Sequence, residues 1–251
     1  MPVMDEFREE RDAIKNGSFK QKWQYFWDYY KWHVIVGGFA LVIAVIFIKD
    51  VLDNKDFAFH GFFINCLENH ENSVLLLDEF AQLAELDTEN YTVSIDSSES
   101  IIKNSYDEIT SSSYQRLTVS IIAEEVDFVA MDEDTFGAYA TTATYFDMRD
   151  ILSAEQMAMF EPYFYYIDMA DVRKIEESRQ ASTMNVYQGK EFDHTTPEGM
   201  EDPVPIAIYI HSSEKLNTAY NFFGLPVALG IPVNTQHLDV TLKFLEYLLA
   251  E

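Results

Sequence analysis

Cysteine is almost missing from this chain of 251 residues: Cys66 stands alone. No intramolecular disulfide can form, and no zinc module built on several cysteines can be assembled. Cationic side chains are scarce as well, 17 Lys+Arg against 43 Asp+Glu, for a formal net charge of −26. Phosphate backbones are bound by cationic surface, so nucleic acid is excluded as a partner. The signatures of common chemistry are also missing. There is no GxSxG elbow or Cys/His nucleophile signature, and neither GxGxxG nor a P-loop. The six histidines, His33, His60, His70, His194, His211 and His237, form no HxxxH or HExxH pair. Paired carboxylates abound in so acidic a chain and carry no glycosidase argument. The expectation is a protein that is not an enzyme and uses no cofactor or metal.

What is present suffices for a core: 48% of residues are hydrophobic and 15% aromatic. The charge is unevenly placed. Residues 1–33 hold six basic and six acidic side chains, so the whole acidic excess lies in residues 34–251. An apolar run marks the boundary, Val34 to Ile48, VIVGGFALVIAVIFI. As a helix its fifteen residues span about 23 Å, short of the ~30 Å hydrocarbon core. The flanks supply the rest. Trp23, Tyr25, Phe26, Trp27, Tyr29, Tyr30 and Trp32 precede it, rings suited to headgroup depth, and Val51 and Leu52 extend it. Lys31 and Lys49 can snorkel at either end. KDVLDNK after the run offers no small-x-small cleavage site, so the run reads as an uncleaved signal anchor.

Orientation follows from the local cations. Lys15, Lys20, Lys22 and Lys31 precede the span, while Lys49 and Lys55 follow it among Asp50, Asp53 and Asp56. The expected organisation is a cytoplasmic tail with an aromatic juxtamembrane segment, 1–33, a transmembrane helix, 34–52, and an extracytoplasmic domain, 53–251. The bilayer is the partner of residues 34–52, and the cell membrane the expected location.

Beyond residue 56 strand-like and helix-like patterns alternate. Strands are predicted at Phe57–Leu67, Tyr91–Ile95, Val126–Met131, Tyr163–Met169, Ser182–Tyr187, Ile206–Ile210 and Val227–Ile231. VDFVAM at 126–131 is nearly continuous in apolar residues, as strands buried on both faces are. Helices are predicted at Val74–Leu86, Ser112–Glu125, from Thr135 onward, and at Thr235–Ala250. Ser153 with Gln156 makes a capping box for AEQMAMF. The class is α/β. Cys66 reads as a small buried hydrophobe in a strand, and the aromatics Phe160 and Tyr163–Tyr166 as core filling or a sugar-stacking platform.

Two stretches, Glu124–Leu152 and Glu201–Leu249, together resemble an extracellular solute-binding protein of the type II periplasmic-binding fold. VDFVAMDEDTF resembles that family's passage through one lobe, and VALGIPVNTQHLDVTLKFLEYLL its last strand and closing helix. The resemblance implies a mixed sheet with helices on both faces and capture of a small solute, such as a sugar, amino acid or peptide, for transport or sensing. The outer domain is shorter than usual for the family and carries an anchor, which implies a trimmed lobe. The same features suit an envelope or transporter-accessory protein that docks another protein with a vestigial cleft.

In open α/β sheets ligands sit beyond the carboxyl ends of strands. That rule nominates Asp96, Ser97 and Ser98 after one strand and Asp132, Glu133 and Thr135 after another. Their hydroxyls and carboxylates suit sugar hydroxyls, an amine or a cation, and equally suit turns and helix caps. Asp132-Glu133-Asp134 lacks the glycine and terminal glutamate of a twelve-residue calcium loop.

Overall fold

A computed structural model describes residues 17–53, 55–105, 107–140, 145–181, 187 and 189–250. The tail at 1–16, the end of the helix predicted from Thr135 and nearly all of the strand predicted at Ser182–Tyr187 lie outside them. The chain divides into two compact units, Met1–Lys55 and Asp56–Glu251.

In the first unit, helix α1 covers Phe19–Asp53 without interruption. The aromatic segment and the apolar run are therefore one element, about 52 Å long at ~1.5 Å per residue. Gln21 Oε1 accepts from the Ser18 N–H at 2.9 Å where the helix begins. Side chains three or four apart share a face, so the aromatics form a ladder. Ring centroids are 5.9 Å apart for Trp23 and Phe26, 5.5 Å for Phe26 and Tyr30, and 6.0 Å for Tyr30 and His33. Tyr30–Lys49 is long and apolar enough to cross a membrane, with mean hydropathy 2.2 and none of it buried.

The second unit is built on a six-stranded mixed sheet. Its strands are β1 (Phe57–Phe63), β3 (Thr92–Asp96), β4 (Phe128–Asp132), β5 (Phe164–Asp168), β6 (Pro203–Tyr209) and β8 (Val227–Gly230). Their order is β3-β1-β4-β8-β6-β5. β1 runs parallel to β3 and β4, while β8 is antiparallel to both β4 and β6, and β5 to β6. A separate two-stranded ribbon pairs β2 (Leu67–Glu68) with β7 (Tyr220–Asn221).

Alternation along the strands divides the core between two faces. Phe59, Phe63, Phe128 and Leu229 face one cluster with Phe80 of α2 (His70–Leu83) and Phe244 of α9 (Leu238–Leu249). Phe62, Val129, Met131 and Ala207 face the other, with Leu117 of α3 (Glu108–Ile122) and Phe136 of α4 (Glu133–Ala140). The mixed sheet and helices on both faces follow the α/β reading. β4 is buried at every position, as its apolar run predicts. Gly61 lies under the Phe128 ring, where a Cβ would come within 2.1 Å of a ring carbon.

Several elements differ from expectation. β1 stops at Phe63, and Asn65 turns the chain in a left-handed conformation, φ 59°. α2 starts at His70 because Asn69 caps it, accepting from the Asn72 N–H; α3 starts at Glu108 because Asp107 accepts from the Thr110 N–H. The capping box of Ser153 and Gln156 opens α6 (Ala154–Phe160), after the short α5 (Met148–Ile151). A helix absent from the sequence reading, α7 (Met169–Gln180), follows β5, with Asp168 accepting from the Ala170 N–H at its start. The remaining helix, α8 (Glu214–Ala219), leads into β7. The aromatics at the start of β5 divide between the faces: Tyr165 is buried in one core, Phe164 in the other with Tyr166 packed against it.

Candidate functional site

β1, β3 and β4 run in one direction, so their carboxyl ends meet, and Asn65, Asp96 and Asp132 close them. The nominated residues lie around these ends, but they divide among separate hydrogen-bonded groups rather than lining one pocket. Asp132 and Thr135 are buried, and the Asp132 carboxylate accepts from the Thr135 N–H at 3.0 Å, a helix-cap bond that starts α4. Asp96 and Ser98 belong to a second group around Arg116 of α3. The Arg116 guanidinium donates to Asp96 and to Glu99, each at 2.5 Å, and its carbon lies 5.9 Å from the centre of the Phe62 ring. Ser98 donates to Asp96 through both N–H and hydroxyl, at 2.9 and 2.6 Å. Ser97 points to neither group: its hydroxyl donates to Glu68 at 2.6 Å. Glu133 accepts from the Tyr209 hydroxyl at 2.7 Å.

The residue that joins these groups is one the sequence reading passed over. The Asn65 amide donates to the Ile101 carbonyl at 2.7 Å, to Asp132 at 2.9 Å and to the Thr135 hydroxyl at 3.3 Å. Its carbonyl accepts from the Ile101 N–H at 2.9 Å and the Ser100 hydroxyl at 3.1 Å, and its own N–H donates to the Glu99 carbonyl at 3.2 Å. Residues 99–101 are thereby tied to the loop at the end of β1, and Ile101 is buried. Asparagine tolerates the left-handed conformation better than most residues, which is the signal Asn65 carries at the end of β1.

Electrostatics favour charge on the carboxylates here. Burial alone would raise the Asp96 carboxyl, but the Ser98 bonds and Arg116 outweigh it and hold it below its ordinary value. Glu68 behaves alike, burial being overcome by hydrogen bonds from Ser73 and Ser97. Cys66 is half-buried in the loop after β1 rather than in a strand, donating to the Phe63 carbonyl at 3.5 Å. Burial and then Glu68 push its thiol up to about 12, so it is no nucleophile at neutral pH.

Further along the same end, Tyr165 is fully buried and its hydroxyl has no hydrogen-bond partner among the described residues. The His194 ring stacks on it at 4.5 Å, and His194 Nδ1 donates to the Tyr166 carbonyl at 2.7 Å. Burial, then Glu133 and Asp134, raise the Tyr165 phenol far above its ordinary value, so it is a neutral donor. Among the described residues no group of three or more His, Cys, Asp or Glu is placed to hold a metal ion. Comparison with protein-family models, curated proteins and solved structures finds no match to this chain.

Proposed function

We propose that the chain is a single-pass membrane protein, amino end cytoplasmic, whose outer domain is a non-enzymatic docking module for another envelope or transporter protein. One observation carries this reading. Beyond the strand ends, where a solute would sit in an open α/β sheet, the chain's own residues 99–101 are tied to Asn65. The nominated polar groups already have partners within the chain, so a ligand would have to break bonds already made. The apolar length of α1 and the aromatic ladder before it support the anchor.

We further propose descent from extracellular solute-binding proteins, with one lobe kept. Its support is the pair of family-like stretches, which contribute β4, β6 and β8, neighbours at the centre of the sheet. Solute binding remains the second reading, favoured by the partnerless Tyr165 hydroxyl beside His194.

A thermal-shift screen of the full chain in detergent, against sugars, amino acids, peptides and divalent cations, separates the two. Ligand at a hundredfold excess over its dissociation constant stabilises by about 2.7 kcal/mol. No shift with any compound, on protein with a cooperative transition, is the expected result. A reproducible shift that Tyr165→Phe abolishes would restore the solute reading.

A further inference from the structure

Resting on the docking reading, we propose that the ribbon β2–β7 and the turn after it form the docking surface, and that its occupant is a protein with an apolar pocket rimmed by cationic side chains.

Leu67, Phe223 and Leu225 are 60%, 63% and 50% exposed. Leu67 pairs with Asn221, the residue from which the turn carrying Phe223 and Leu225 begins, so the three belong to one ribbon and its turn. Phe223 and Gly224 both have positive φ, 58° and 76°, and the Asn221 side chain fixes the turn by accepting from the Phe223 N–H at 2.7 Å. An aromatic residue held left-handed gains nothing locally by facing solvent, while a pre-set aromatic prong suits insertion into a partner. The turn is rooted in the sheet. The Glu133 N–H donates to the Pro226 carbonyl at 2.9 Å, and Phe222 is buried in the core.

Charge decides the occupant. Glu68 adjoins Leu67, and the whole acidic excess of the chain, −26, lies in residues 34–251. Glu68 and Asp96 are both held below their ordinary values and stay ionised. A second copy would bring the same acidic rim against itself, and an anionic lipid surface would be repelled likewise. A cationic rim meets it with complementary sign, and an apolar pocket accounts for the three exposed apolar side chains.

The test places a benzophenone amino acid at position 223 or 225 of the full chain in its native membranes, with control positions 109 and 122 on α3, also exposed. The expected result has four parts. Irradiation from 223 and 225 gives one discrete adduct; Leu67→Asp removes it without changing the melting temperature. Salt at about 1 M, where the screening length is ~3 Å, weakens it several-fold, and the cross-linked peptide carries net positive charge. Adducts from 109 or 122 but not from 223 or 225 would overturn this surface and leave the docking reading standing. An adduct with a second copy, with lipid or with a net acidic peptide would overturn the occupant. No adduct from any of the four positions would overturn both the surface and the docking reading.

Discussion

At Asn65 a single side chain replaces what would otherwise be a set of unpaired groups at the ends of β1, β3 and β4. Alanine there loses the bonds to Ile101, Asp132 and Ser100 and must also adopt φ 59°. With about 1 kcal/mol per lost bond and ~1 kcal/mol for the left-handed backbone, Asn65→Ala should cost about 2–4 kcal/mol. Asn65→Gly keeps the backbone freedom and should cost roughly 1 kcal/mol less, so urea titration of the two variants separates side chain from conformation. His60 makes a different prediction. It is buried in β1, its Nδ1 sharing a hydrogen bond with Ser94 at 2.9 Å, and burial depresses its pKa below 6.5 despite Asp96, Asp127 and Glu125 nearby. The unfolded chain therefore takes up this proton first. The neutral imidazole contributes stability in full above about pH 6.5, and that contribution is lost as pH falls towards the depressed folded value. Melting temperatures measured from pH 7.5 down to 5 should fall, and His60→Gln should flatten that part of the curve.

The helix α1 can be interrogated by itself because the three tryptophans of the chain, Trp23, Trp27 and Trp32, all lie in it. Reconstituted into vesicles, the protein should show blue-shifted tryptophan emission that lipids brominated near the headgroup quench more strongly than lipids brominated at the chain ends. Emission indifferent to both would remove the anchor. This element was legible because its composition is so extreme, and β4 was legible because a run buried on both faces leaves no polar interruptions. The capping box at Ser153 was read from two side chains at fixed spacing. α7 was not: MADVRKIEESRQ is highly charged and buries only Ala170, Asp171 and Ile175, so its apolar period is too faint to read. The starts of α2 and α3 were missed because Asn69 and Asp107 precede polar first turns, where apolar periodicity has not begun. At the strand ends, Asp96 closes β3 and Asp132 closes β4, as the strand pattern placed them. That pattern could not supply their partners, since Asn65 is 67 residues from Asp132 and Arg116 is 20 from Asp96. Such pairings depend on strand order, which local pattern does not encode.

At the scale of the whole outer unit, β8 is the only link between β3-β1-β4 and β6-β5 within the described sheet. It is four residues long and buried throughout, pairing with β4 on one side and β6 on the other. A chain ending at residue 226 should therefore lack a cooperative thermal transition and be cleaved rapidly by protease, whereas loss of residue 251 alone should leave both properties intact. The same strand order governs how the protein is made. Translation delivers the strands of both flanks before their keystone at residues 227–230. Until then β4 has no neighbour on that side, and the nascent domain is an unfinished arch. Such a domain stays pliable until the short strand that joins its flanks has been made.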